Sequence, residues 1–208
     1  MFSRCCAKSL KSCYRQPLLL ARLAAPPTHT RRYASELPSS GRVAIPEARS
    51  SEALSQGTRD LLAGNTASAL QHFERALSLG STTADTYYNK GLCEYSLGDP
   101  EAAIRSWEHS LALDSTRADV HANIGNAYFL NRRDTRTAIK HMERAVELAP
   151  SDAEIHFNLG CLYESLAETD KDLDAAIGAY DRAVQLGLDK AKTHLRNAMA
   201  KRMKRKLS

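Results

Sequence analysis

Acidic residues are missing from both ends of this chain. None precedes Glu36, although seven Lys/Arg already stand before it, and none occurs among residues 191–208, which hold seven more. The formal net charge of +5 therefore belongs to the ends, because residues 34–190 carry 15 Lys/Arg against 24 Asp/Glu, a balance of −9. Nucleic-acid binding across that acidic stretch is disfavoured. Long apolar runs are missing as well. Near the N-terminus the longest, Pro17–Ala21, is too short for a secretory signal core or for a span of about 20 residues. Of five cysteines, Cys5, Cys6 and Cys13 lie near the start, and only Cys93 and Cys161 lie in the remainder. That is no disulfide framework of the kind an oxidising compartment supports. Glycine-rich phosphate loops, nucleophile elbows and closely spaced metal ligands are also lacking. The chain reads as a non-enzyme with no cofactor and no metal.

What residues 1–33 do contain is a pattern. On a helix, Arg4, Lys8, Lys11, Arg15 and Arg22 fall within a narrow arc, with Phe2, Cys6, Cys13, Leu20 and Ala24 opposite. A basic amphipathic stretch rich in Arg and Ser and free of acids has the composition of a mitochondrial transit peptide. Arg31-Arg32-Tyr33-Ala34-Ser35 resembles a matrix-processing site, with Tyr33 the last residue removed. The expectation is a cleaved presequence over 1–33 and the mitochondrial matrix as destination. Residues 34–49, with two prolines and Gly41, read as an unstructured linker.

From Ser50 to Lys190 the text repeats. Gly57, Gly91 and Gly125 are each 34 residues apart, and Gly160 follows after 35. Ala69, Ala103, Ala138 and Ala176 keep the same rhythm, as do Phe73, Trp107, Met142 and Tyr180. A unit of this length cannot bury its apolar face alone and must stack on its neighbours. In the unit from Ala84, Asp85 is a candidate N-cap and Gly98 a left-handed stop. Asp99-Pro100-Glu101 then opens a second helix, with proline in the first turn where its missing N–H costs nothing. Gly91 and Ala103 are expected to face each other where the two helices cross. One extra residue falls in the Asn131–Thr137 turn and four more around Glu168–Leu173, where insertions are tolerated.

These columns resemble the tetratricopeptide repeat (TPR) family over roughly two thirds of the chain. The resemblance implies an all-α, right-handed α-α superhelix: about four helix-turn-helix repeats (50–83, 84–117, 118–152, 153–190) and a C-terminal capping helix with a basic tail (191–208). It also implies that the first helix of each repeat lines a concave groove. Asn89, Asn123 and Asn158 recur there at one offset, and asparagine is a poor helix-interior residue. They are either a ladder of amides for the backbone of an extended peptide or braces within the scaffold. Tyr88, Tyr95, Phe129 and Phe157 stand in neighbouring columns as aromatic anchors. Asp85, Asp119 and Glu154 recur as rim acids or as helix N-terminal acids.

Other readings are weaker. His121 and His156 occupy equivalent places, but no thiol or carboxylate recurs beside both, so packed imidazoles are expected. His156 and Cys161 lie about 140° apart around their helix, so they cannot form a nucleophile pair with Glu164. The clamp by which chaperone-binding TPR domains hold a terminal carboxylate is absent, because Asp119 and Asn123 stand where cations are needed. In the last segment, Leu195, Ala198 and Met199 are expected to cover the fourth repeat, with Lys201, Arg202, Lys204, Arg205 and Lys206 running past it, as a solvated terminus or one that folds back on the acidic body. The expected function is a mitochondrial protein–protein adaptor that grips a partner segment through its apolar residues, and through basic residues where the recurring acids line the rim. The alternative is an organellar RNA-associated factor that uses the basic tail, which is also the only part suited to an anionic membrane.

Overall fold

The computed structural model describes residues 45–207; the expected presequence (1–33) and most of the expected linker (34–44) lie outside the described residues. The described part is helical: α1 (Ile45–Leu62), α2 (Thr66–Ser78), α3 (Ala84–Ser96), α4 (Pro100–Leu113), α5 (Ala118–Ala127), a π-helical turn (Tyr128–Arg132), α6 (Thr135–Leu148), α7 (Ala153–Leu166), α8 (Asp170–Gln185) and α9 (Ala191–Leu207). No strand occurs among the described residues. Helix α1 begins at Ile45, so the last five residues of the expected linker are helical. The chain divides into two compact units at Leu113/Asp114.

In the first unit, α1 packs on α2 and α3 on α4, with α3 laid against α2. The sequence signals at helix ends act as read, with one shift. Thr83, not Asp85, is the N-cap of α3, its hydroxyl accepting the Thr86 N–H at 3.2 Å. Gly98 stops the helix at φ 91°, and Asp99 accepts the Ala102 N–H at 2.9 Å to open α4. The glycines also act by closeness, but on a different neighbour from the one expected. A Cβ at Gly91 would lie 2.5 Å from the indole nitrogen of Trp107, not against Ala103, and one at Gly57 would lie 3.0 Å from the Phe73 ring. Trp107 is buried there, and its N–H donates to the Tyr88 carbonyl at 3.2 Å. Ser110 ties the same hairpin by donating to the Ala84 carbonyl at 2.8 Å.

In the second unit, α5 packs on α6, α7 on α8, and α9 on α8. Its core joins Ala138, Ile139, Met142 and Ala145 of α6 to Ile155, Leu159 and Leu162 of α7. The extra residue near Asn131 is absorbed by the π-helical turn. There Asn131 donates to the Ala127 carbonyl at 3.3 Å, and Arg133 leaves the helix at φ 54°. Widening one turn is the usual way a helix accommodates a single inserted residue. The longer insertion after Leu166 is closed by a capping box in which Thr169 and Asp172 satisfy each other's backbone N–H. Gly160 repeats the pattern of Gly91, since its Cβ would lie 2.6 Å from the Tyr180 ring. Where methionine replaces the aromatic residue, the nearest atom to a Cβ at Gly125 is the Ala138 carbonyl oxygen, at 3.0 Å.

Two glycines in helices should therefore respond in opposite ways to alanine. At Gly91 the new methyl meets a buried indole, and Gly91→Ala should destabilise the protein by about 1–3 kcal/mol. At Gly178, where a Cβ meets nothing within 4 Å, Gly178→Ala should stabilise by up to about 1 kcal/mol. Urea unfolding of both variants measures this, and equal shifts would contradict the close-contact account.

Candidate functional site

The residues expected to face a ligand divide by burial. On α3, Tyr88, Asn89 and Tyr95 are half-buried in a helix whose Gly91, Leu92, Cys93 and Glu94 are buried. Tyr88 and Tyr95 are seven residues apart and share one face. The Tyr95 ring is supported by Trp107 at 5.7 Å between centroids, so the wall behind it is rigid. Beside it runs a second fixed element. Lys90 pairs with Glu94, and Ser106 donates to the same carboxylate, so the charge buried inside the hairpin is neutralised. Burial, followed by the neighbouring Glu94 charge, lifts the Cys93 thiol to about 12, which leaves it inert as a nucleophile at neutral pH.

The second unit places its counterparts deeper. Asn123 and Asn158 are buried, and neither lacks a partner. Phe129 is half-buried against the core cluster of α6 and α7. Phe157 is 1% exposed, with the His194 ring edge-on at 5.1 Å, Tyr180 at 5.7 Å and the Lys190 ammonium 4.6 Å from its centroid. The expectation of an available aromatic anchor at Phe157 is therefore corrected, because α9 and the turn before it lie against the ring. His156 is a packed imidazole, with Nε2 3.0 Å from the Pro150 carbonyl. Asp119 binds Arg117 at 3.0 Å and Glu154 binds Lys190 at 2.6 Å, so both rim acids are engaged locally.

Glu164 explains why the fourth repeat differs. It occupies the column held by Tyr95 and Phe129, and instead of a ring it supplies an anion to the C-terminal helix. Tyr180 donates to it at 2.8 Å, Lys201 pairs with it, and His194 lies 3.9 Å away. Around it Arg202 binds Asp170 and Asp174, each at 2.8 Å, and Arg205 donates to the Ala167 carbonyl. The basic segment is thus not a tail running past the cap; it forms the last turns of α9. Lys201, Arg202 and Arg205 hold it to the repeat, while Lys204 and Lys206 are exposed. The inward positions are Ala191, His194 and Ala198. Met199, expected to cover the repeat, is exposed together with Met203 and Leu207. Of the two structural readings of this segment, the structure shows the one that folds back on the acidic body; its individual partners stand 28 to 38 residues apart and are not legible in the sequence.

Among the described residues no group of three or more His, Cys, Asp or Glu gathers to hold a metal, and no helix is long and apolar enough to cross a membrane. The comparisons agree with the geometry of the hairpins. The tetratricopeptide repeat family model matches residues 54–118 and 127–192, and the chain belongs to that family. Solved structures share the fold. MamA from Desulfovibrio magneticus RS-1 is 22% identical over 76% of this chain and 88% of its own, with a TM-score of 0.66. PilF of Pseudomonas aeruginosa is 20% identical over 76% of this chain and 71% of its own, at 0.63. YrrB, a TPR protein with an unusual peptide-binding site, is 18% identical over 73% of this chain and 76% of its own, at 0.61. No curated protein matches the sequence. The fold class is that of the TPR α-solenoid, a protein–protein interaction scaffold, and no enzyme family is indicated.

The latch should be visible in acid. Burial opposes ionisation of Glu164, but the nearby His194 ring and hydrogen bonds from Lys201 and Tyr180 outweigh it and lower the carboxyl from an ordinary 4.5 to about 2. A folded value below the unfolded one gives stability that is present above about pH 4.5 and lost as pH falls toward 2. The expected contribution at neutral pH is on the order of 3 kcal/mol. Glu164→Gln should lower the urea midpoint at pH 7, and the gap to wild type should close as pH falls to about 2. A gap independent of pH would contradict this assignment.

Proposed function

We propose that this chain is a non-catalytic adaptor of the mitochondrial matrix that holds a peptide segment of a partner protein against the first helices of its repeats. The observation that carries the reading is the state of α3: Tyr88, Asn89 and Tyr95 remain partly exposed on a helix that is seated on Trp107 at Gly91, between the two tyrosines, and tied on its opposite side by the Lys90–Glu94 pair. A rigid wall offering two rings and an amide suits an extended or helical segment with apolar anchors. The balance of −9 over residues 34–190 favours a segment that also carries Lys or Arg. Within the second unit we read Asn123 and Asn158 as braces, and half-buried Phe129 as an anchor of that unit by itself. The peptide-binding site of YrrB supports the reading by likeness of fold. An assembly or chaperone-like role suits such a grip.

The mitochondrial part rests on the acid-free amphipathic pattern of residues 1–33 and the Arg31–Ser35 processing motif. The RNA-associated alternative gains no support, because three of its five tail cations are bound to carboxylates and a carbonyl of the same unit.

Two measurements test the proposal. Mass spectrometry of the protein recovered from cells should find Ala34 at the mature N-terminus, in a mitochondrial fraction; an intact Met1 in the cytosol would refute the address. Affinity capture with the mature chain should retain a protein that a folded Tyr88→Ala/Asn89→Ala/Tyr95→Ala variant loses. If each group contributes about 0.5–1.5 kcal/mol, affinity should fall roughly ten- to a thousand-fold. Equal recovery by both chains would remove α3 from the binding surface.

A further inference from the structure

Two imidazoles meet in the third repeat across its own hairpin. His121 of α5 and His141 of α6 bring their Nδ1 atoms to 3.3 Å, with ring centroids 5.5 Å apart. The sequence pairs His121 with His156 by repeat register, yet His156 is turned to the Pro150 carbonyl, and the spatial partner of His121 lies 20 residues on. The distance is informative. At 3.3 Å the two Nδ1 atoms are at the long end of hydrogen-bond reach, with one ring N–H facing the nitrogen of the other, and the same spacing suits a shared cation. Two nitrogens each about 2.0–2.1 Å from one tetrahedral ion lie about 3.3–3.4 Å apart, whereas adjacent ligands of a square-planar ion lie about 2.8–3.0 Å apart.

The surroundings fix both rings in the orientation this requires. The Ser115 backbone also hydrogen-bonds the His121 ring, and metal-bound histidines are oriented by such second contacts. A cation bound at the two Nδ1 atoms would displace the proton that lies between them. His141 is held by stacking on Tyr128, at 5.9 Å and 13° between planes. Burial, then the Arg144 charge, lowers the proton affinity of His121, and burial, then His121, lowers that of His141. Arg144 opposes a cation here, although its pairing with Glu147 at 2.7 Å offsets part of that charge. Hairpins one and two place Asp60 with His72, and Glu94 with Ser106 and Lys90, between their helices; among the described residues the two-imidazole contact belongs to the third repeat.

We propose that His121 and His141 form a two-imidazole site for a divalent cation, Zn2+ in the tetrahedral geometry that this spacing suits, with two positions left to water or to a carboxylate of a bound partner. The site is independent of the peptide-binding reading. Calorimetric titration of the full chain with Zn2+ should show one equivalent bound, and Co2+ in its place should give the strong visible absorption of a tetrahedral complex. His121→Asn and His141→Asn should each weaken binding at least tenfold, and Arg144→Gln should tighten it. Imidazole nitrogen NMR of the wild-type chain adds a readout that needs no variant to fold: Zn2+ should shift the Nδ1 signals of His121 and His141 together. Zn2+ binding that survives in the double histidine variant, a shift at other histidines only, or no binding would each overturn the proposal.

Discussion

The close approach of one helix to the next at a glycine is the constraint on which each repeat depends. At Gly91 and Gly160 the backbone comes so near a buried aromatic ring that the smallest side chain would collide with it. Everything else in the hairpin follows from that contact. The ring becomes a floor under the first helix, and the side chains that flank the glycine on the same helix are seated on it and become a surface. In α3 the floor is Trp107, which also takes the Tyr88 carbonyl as its acceptor and supports the Tyr95 ring. Packing and presentation of the candidate site are thus one arrangement, because the residues that would touch a partner rest directly on those that close the repeat.

The fourth repeat shows what the same scaffold does when one residue in that surface changes kind. Glu164 stands where the second and third repeats have Tyr95 and Phe129. A carboxylate so nearly enclosed needs donors, and Tyr180, His194 and Lys201 supply them. A position suited to recognition has become an anchor for α9, and with it Phe157 has passed into the core. The acid-free C-terminal segment finds its role here: its cations face carboxylates of α7 and α8, so charge segregation along the sequence becomes charge pairing in space.

Much of this was legible because repeats expose their constraints in register. The glycine column located the close crossings, Gly98 and Asp99 marked the turn, and a single inserted residue near Asn131 announced a local irregularity that takes the form of a π-helical turn. What stayed hidden involved pairs that no periodicity links. Nothing local says that Lys201 will reach Glu164, or that Arg202 will reach Asp174. Register placed His121 beside His156, while the hairpin placed it beside His141, because register compares equivalent positions and contact depends on the opposite helix. The asparagine column was ambiguous for a similar reason: an identical offset puts Asn89 at a half-buried position, and Asn123 and Asn158 at buried ones, since burial depends on what each repeat has as a neighbour. Phe157 could not be separated from Tyr88 in the sequence, as only the course of α9 distinguishes them.

The central claim is that the partly exposed face of α3 is where a partner segment is held. A photoreactive amino acid at Tyr88, in the full chain expressed in cells, tests it most directly, with the same group at exposed Gly178 of α8 as the control. The account predicts that irradiation links Tyr88 to one discrete protein, through a short segment bearing apolar and basic residues, while position 178 gives no such product. The same product from both positions, or none from Tyr88 in a folded chain, would contradict it.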